Sequence, residues 1–177
     1  AAALTKYAPA CPVVSMESPL EGASVTLAPD SAQLGRELAA ALLQDWTAGP
    51  VLLADTSGGA TAGITARLEA AHEALLDAGV PVSTRTCTGD ELAGGLRAML
   101  AQTGRQWVMA FDPSATLRAA EGKKLAQLSV PLYGVGSTVG ILTDLEQGTI
   151  AAVATWSDYA AGYLAVEQAV KAARGEG

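Results

Sequence analysis

The chain has 177 residues, 50% of them hydrophobic, and a formal charge of -7. It is long and apolar enough to bury one substantial core, or one core with a smaller appendage, and this composition excludes a disordered chain. Only eleven Lys and Arg are spread along it, which argues against contact with nucleic acid, and no apolar run nears the ~20 residues that membrane insertion of a helix requires.

The opening Ala1-Ala2-Ala3-Leu4-Thr5-Lys6 lacks the basic-then-apolar build of a signal peptide. Leu4 to Tyr7 reads as the end of a helix. Pro12 to Glu17 reads as a short strand with proline at its first position, where no ladder donor is lost. A second strand is predicted over 24–28, alternating and then stopping at Pro29-Asp30. Asp30-Ser31 supplies an N-cap, and Leu34, Leu38, Leu42 and Trp46 make one apolar stripe on a helix ended by Gly49-Pro50.

From there strand and helix alternate, the mark of a parallel sheet with crossover helices. Strand 51–55 leads through a glycine-rich turn to a helix carrying Ile64, Leu68, Ala71, Leu75 and Ala78, closed by Gly79. After strand 82–87, Thr88-Gly89-Asp90-Glu91 has the form of a capping box and opens a helix with Leu92, Leu96 and Leu100 inward. Trp107-Val108-Met109-Ala110-Phe111 predicts a buried strand that breaks off at Asp112-Pro113-Ser114. Ser114 is expected to cap a helix reaching Leu128, followed by strand 132–136, a short helix with Ile141, Leu142 and Leu145, strand 149–154 and a final helix from Tyr159 to Arg174. Cys11 and Cys87 stand far apart with no CxxC spacing and read as small buried hydrophobes.

Five strands between 51 and 154 make an α/β fold, a three-layer αβα doubly wound parallel sheet, with the two early strands and the last helix outside it. In such a sheet a ligand lies where strands end and helices begin. Asp112 stands at such an end, and strands 51–55 and 132–136 run into small polar residues. The pattern points to a cleft for a small molecule.

With that order in hand, Val130-Pro-Leu-Tyr-Gly-Val-Gly136, Leu145-Glu-Gln-Gly-Thr-Ile-Ala-Ala-Val-Ala154 and Gly162-Tyr-Leu-Ala-Val-Glu-Gln-Ala-Val170 resemble segments of type 1 periplasmic binding proteins and lac-repressor-type effector domains, in the ribose-type branch. Pro12-Val-Val-Ser-Met-Glu17, Asp30 to Gly35, and Arg67-Leu-Glu-Ala-Ala-His-Glu-Ala-Leu75 agree in the same order. The resemblance implies two α/β lobes that close over a solute. It assigns residues 1–29 and 157–177 to a remnant of the first lobe and 30–156 to a complete second lobe.

The resemblance also implies site residues. Arg67 matches an arginine that reaches a sugar hydroxyl or carboxylate, though a solvated helix arginine is the plain alternative. Asp112 matches the acid of an Asn-Asp pair, as ligand contact or as helix cap. Phe111 replaces the asparagine and is expected to stack on a sugar face. Trp156 falls at the second crossing, as an apolar wall or as hinge packing. Gly136 replaces an acid common among sugar binders, leaving Ser137 and Thr138 to offer hydroxyls. Glu17 matches an acidic first-lobe position or is an ordinary surface carboxylate.

Noncatalytic binding of a small polar solute, a carbohydrate, is therefore expected, with no cofactor and no metal, and with a membrane permease as partner in a transport system. The alternatives are a lac-repressor-type regulator's effector domain and a flavodoxin-like enzyme holding phosphate on Gly58-Gly59-Ala60-Thr61-Ala62-Gly63, a stretch that is otherwise a tight turn. The compartment is periplasmic or extracytoplasmic for transport and cytoplasmic for a regulator. His72, the lone histidine, reads as packing. Arg67→Ala is expected to abolish solute binding with the melting temperature nearly unchanged. The open edge at Val13-Val14 and a helix face of Leu164, Ala165 and Ala169 predict association through 1–28 and 157–177, as a homodimer or with a missing first-lobe segment.

Overall fold

Strands whose residues are apolar at every position must be covered on both faces, and this requirement sets the architecture. The structure, a computed structural model, describes residues 12–16, 20–104 and 106–175. The chain divides into two compact units, Ser31–Thr155 and the residues that flank it on both sides. The helix expected over 4–7, Cys11 and Glu17 lie outside the described residues.

The elements of the central unit are α1 (Ser31–Asp45), β3 (Val51–Asp55), α2 (Ala62–Asp77), β4 (Val82–Thr86), α3 (Gly89–Thr103), β5 (Trp107–Ala110), α4 (Pro113–Leu125), β6 (Leu132–Val135), α5 (Val139–Glu146) and β7 (Ala152–Ala154). The five strands are all parallel, in the order β4-β3-β5-β6-β7. Leu52, Ala54, Val108, Ala110 and Leu132 join Leu92, Leu96, Ala119 and Ile141 in a core under α3, α4 and α5. Side chains alternate along a strand, so Leu53, Met109, Phe111 and Tyr133 occupy the other face, under α1 and α2. All four are fully buried.

Local chemistry sets the ends of these elements. Thr88 and Glu91 form the expected capping box, with the Glu91 amide donating to Thr88 Oγ1 at 3.2 Å and the Thr88 amide donating to Glu91 Oε2 at 2.7 Å. Gly79, at φ +74°, follows the C-cap Ala78, and the Val80 amide donates to the Leu75 carbonyl at 2.9 Å. Most boundaries fall within a residue or two of expectation, and three differences have a clear local cause. The cap of α4 is Asp112 rather than Ser114, because Pro113 is pre-set for the first helical position and the acid before it takes the capping role. That helix ends at Leu125, short of Leu128, where Gln127 turns to φ +49°. β7 begins at Ala152 because the amides of Thr149 and Ile150 bond the Asp144 carbonyl at 2.8 and 3.1 Å and finish α5 instead.

Close approaches between helices are met with glycine. A Cβ at Gly35 would stand 2.1 Å from the Arg67 carbonyl oxygen, so α1 and α2 touch through their backbones at that point. A Cβ at Gly134 would stand 2.3 Å from Thr116 Cγ2, so β6 leaves room there for a side chain of α4. Cys87 is a free, half-buried thiol packed against the core under α3.

The flanking unit pairs β1 (Val14–Met16) with β2 (Val25–Leu27) in parallel, packed against α6 (Asp158–Ala173). Ser15 Oγ and Thr26 Oγ1 are 2.7 Å apart across the pair. No residue of α6 is fully buried. The expectation for this helix needs correction. Ala165 and Ala169 are half-buried, and the more open stripe is Tyr159, Tyr163, Val166 and Val170, at helical spacing, with Leu164 exposed beside it. Among the described residues no helix is long and apolar enough to cross a membrane.

Candidate functional site

The chain leaves β3 for β4 on one side, then returns to lay β5 on the other side of β3. The connections after β3 and β5 therefore diverge at the carboxyl edge of the sheet, which is the switch point where open α/β sheets hold ligands. Several polar side chains of the central unit meet at this edge.

Asp112 follows the carboxyl end of β5. Its Oδ1 accepts from the Ala115 amide at 2.9 Å and its Oδ2 from Thr56 Oγ1 at 2.9 Å, which joins the ends of β5 and β3 across the switch. The Asp112 carbonyl accepts from the Thr116 amide at 3.0 Å. The fully buried Thr116 hydroxyl lies 2.8 Å from that carbonyl, 3.0 Å from the Val135 carbonyl, and accepts from the Val135 amide at 3.0 Å. The ends of three adjacent strands are thereby bound together around one residue, Asp112.

Arg67 is only 8% exposed, and its Nη1 donates to the Phe111 carbonyl at 3.0 Å. The guanidinium is thus fixed at the carboxyl end of β5, one residue from Asp112. It is not a solvated helix arginine, and the expectation of an unchanged melting temperature in Arg67→Ala does not fit a side chain so buried. The Phe111 ring is fully buried on the α1–α2 face and has no exposed face for a sugar to stack on. What Phe111 brings to the edge is its carbonyl.

After β6, Gly136 has φ +132°, and a Cβ there would meet Ile141 Cδ1 at 2.7 Å and Pro113 Cβ at 3.1 Å. An acid there would have to adopt this strained backbone and displace the Ile141 side chain. Ser137 follows it and is exposed, while Thr138 caps α5.

Asp55, at the end of β3, was not among the residues singled out from sequence. Its Oδ1 accepts from the Ser57 amide at 2.9 Å, Ser57 Oγ at 2.8 Å and the Gly58 amide at 3.1 Å, and its Oδ2 from Thr86 Oγ1 at 3.3 Å. Partial burial alone would raise its pKa, but the bonds from Ser57, Gly58 and Thr86 together outweigh burial and hold the carboxyl below the ordinary aspartate value. The glycine turn is therefore already wrapped around an anion of its own, and a phosphate at those amides would face the Asp55 carboxylate. Thr56 and Thr116 also escaped notice. An aspartate ending a strand before Thr-Ser-Gly-Gly, and a threonine four residues after a capping acid, were the available signals.

Trp156 belongs to the flanking unit. It is half-buried and lines an apolar cavity of about 220 Å³ with Met16, Leu27, Pro29, Ala161 and Leu164. Arg67, Phe111, Asp112 and Ser137 share the sheet edge of the central unit. His72 is half-buried beside Glu69 and Glu73, and the described residues hold no group of three or more metal-ligating side chains.

A family model described as a periplasmic binding protein domain matches residues 2–177. Solved structures share the fold at low identity. A carbohydrate transporter solute-binding protein from Agrobacterium radiobacter, in complex with D-arabinose, superposes with a TM-score of 0.81 at 18% identity, over 98% of this chain and 64% of that one. An ABC transporter solute-binding protein from Agrobacterium vitis with bound D-fucose gives 0.80 at 19% identity, over 99% and 65%. The periplasmic component of an ABC-type sugar transport system from Hahella chejuensis gives 0.82 at 17%, over 99% and 68%. The chain thus spans 64–68% of the length of these structures. No curated protein matches it.

Proposed function

The chain belongs to the periplasmic binding protein domain family, and we propose that it contributes one lobe's share of a noncatalytic binding site for a small polar solute, a carbohydrate, as a solute-binding protein or sensor. Ser31–Thr155 corresponds in this reading to the second lobe, and the flanking unit to part of the first. The observation that carries the reading is the bond from the Arg67 guanidinium to the Phe111 carbonyl, which fixes a cation at the carboxyl end of β5, one residue along the chain from Asp112, at the switch between β3 and β5.

A sugar ring presents hydroxyls that both donate and accept. Asp112 accepts a hydrogen bond from a hydroxyl, and Arg67 donates hydrogen bonds from a planar fork. Ser137 adds a group able to do either. Trp156 and Glu17 belong in this reading to the first-lobe part of the chain, with Trp156 offering an apolar wall. Phe111 acts through its carbonyl, which holds the arginine. The lack of an acid at Gly136 leaves one acceptor fewer than many sugar sites have, which counts against ribose itself. A membrane permease is the partner that a transport role requires.

The test is calorimetric titration of the protein with D-arabinose, D-fucose and D-ribose, each against inorganic phosphate as control. Saturable binding of one sugar, lost in Asp112→Ala and in Arg67→Lys, is the expected result. Binding of phosphate with no response to any sugar would reverse the reading in favour of the glycine turn.

A further inference from the structure

We infer that Thr56 is a positioning residue for solute binding, whose hydroxyl sets the direction of the Asp112 carboxylate; this rests on the solute-binding reading above. The main chain at residue 112 is already fixed. Its carbonyl accepts from the Thr116 amide at 3.0 Å, and the buried Thr116 hydroxyl, 2.8 Å away, ties the same place to β6 through Val135. The freedom left to Asp112 is rotation of its carboxylate. The capping bond from the Ala115 amide holds Oδ1 alone, and one hydrogen bond leaves the plane of the group free to swing.

Thr56 removes that freedom. Its Oγ1 donates to Oδ2 at 2.9 Å, so each carboxylate oxygen has one internal partner and keeps acceptor capacity for a ligand. Thr56 is itself anchored. It directly follows Asp55, whose carboxylate binds the amides of Ser57 and Gly58 and the Thr86 hydroxyl, so the turn that carries Thr56 is fastened to β4 as well. The result is an acceptor pair aimed before the solute arrives, and a ligand that meets a pre-aimed group loses less affinity to ordering it. The hydroxyl is what matters here, because the methyl group of threonine cannot make this bond.

Thr56→Val and Thr56→Ser separate the two parts of the side chain. In Thr56→Val, hydrogen exchange at the Ala115 amide is expected to accelerate about tenfold, and affinity for the sugar found by titration among D-arabinose, D-fucose and D-ribose is expected to fall about tenfold, the factor that ~1.4 kcal/mol represents. Thr56→Ser is expected to bring both back to within about twofold of the original protein, since the serine hydroxyl can occupy the same place. Unchanged Ala115 exchange and affinity in Thr56→Val would overturn the inference, as would failure of Thr56→Ser to rescue them. If none of the three sugars binds the original protein, the solute reading fails and this role fails with it. The exchange arm then still reports separately whether Thr56 holds the carboxylate.

Discussion

The two units use the same kinds of element and bury them to different degrees. In Ser31–Thr155, β3, β5 and β6 are sealed between two helical layers, and Leu52, Leu53, Val108, Met109 and Leu132 are all fully buried. In the flanking unit, one helix packs on β1 and β2 among the described residues, and on that helix Tyr159 is 85% and Val166 66% exposed. An amphipathic helix and an apolar strand announce that they need a cover without saying what supplies it. The difference also bears on function. Polar side chains can be aimed to within fractions of an ångström only on a rigid support, and Asp55, Thr56, Arg67, Asp112 and Thr116 all stand on the sealed unit.

The widest gap between the units should appear on truncating equivalent leucines. Leu53→Ala is expected to cost ~2–5 kcal/mol, and Leu164→Ala less than about 1 kcal/mol, in urea unfolding. Equal costs would erase the distinction. Arg67→Ala is expected to come next, at ~1–3 kcal/mol, because it removes a buried bond to the Phe111 carbonyl. A melting temperature equal to the original would mean that this guanidinium is not part of the packing.

A smaller effect comes from Asp55, whose folded-state pKa lies below the ordinary aspartate value. A depressed acid stabilises the folded chain above its unfolded pKa, near ~3.9, and that contribution is lost as pH falls through the lower folded value. Asp55→Asn should therefore flatten the stability profile below about pH 4. An identical acid limb in both proteins would show that the turn does not depend on that charge. The smallest effect on stability is expected from Tyr163→Ser with Val166→Ser, within about 0.5 kcal/mol. The same pair should weaken concentration-dependent association in light scattering. A chain that stays monomeric at high concentration before substitution would mean that this stripe is no interface.

The residues that could be read from sequence and those that could not differ in kind. The strands of the sealed unit were legible because runs such as Val51-Leu52-Leu53-Ala54 have no polar face to turn outward, and the capping box at Thr88 was legible because both partners lie within four residues. Asp112 could be placed at a strand end and read as ligand contact or helix cap, but Ser114 reads equally well as the cap, since a proline between two good capping residues leaves the choice to geometry. Gly136 could be seen to lack an acid, whereas the contacts with Ile141 and Pro113 that crowd the position come from separate elements. Thr56 to Asp112 spans 56 residues and Thr116 to Val135 spans 19, and pairings of that range leave no trace in local pattern. The open face of α6 was misjudged for a related reason, because periodicity shows that a helix has a wide apolar face and not which part of it meets a sheet.

The central claim is that a polar solute binds at the carboxyl edge where β3 and β5 diverge, and amide chemical-shift mapping during titration with D-arabinose, D-fucose or D-ribose tests it most directly. Shifts should concentrate at Thr56, Asp112 and Ser137 and saturate together. Saturating shifts confined to Gly58 and Gly59, or to the residues around Trp156 with none at Asp112, would contradict the account.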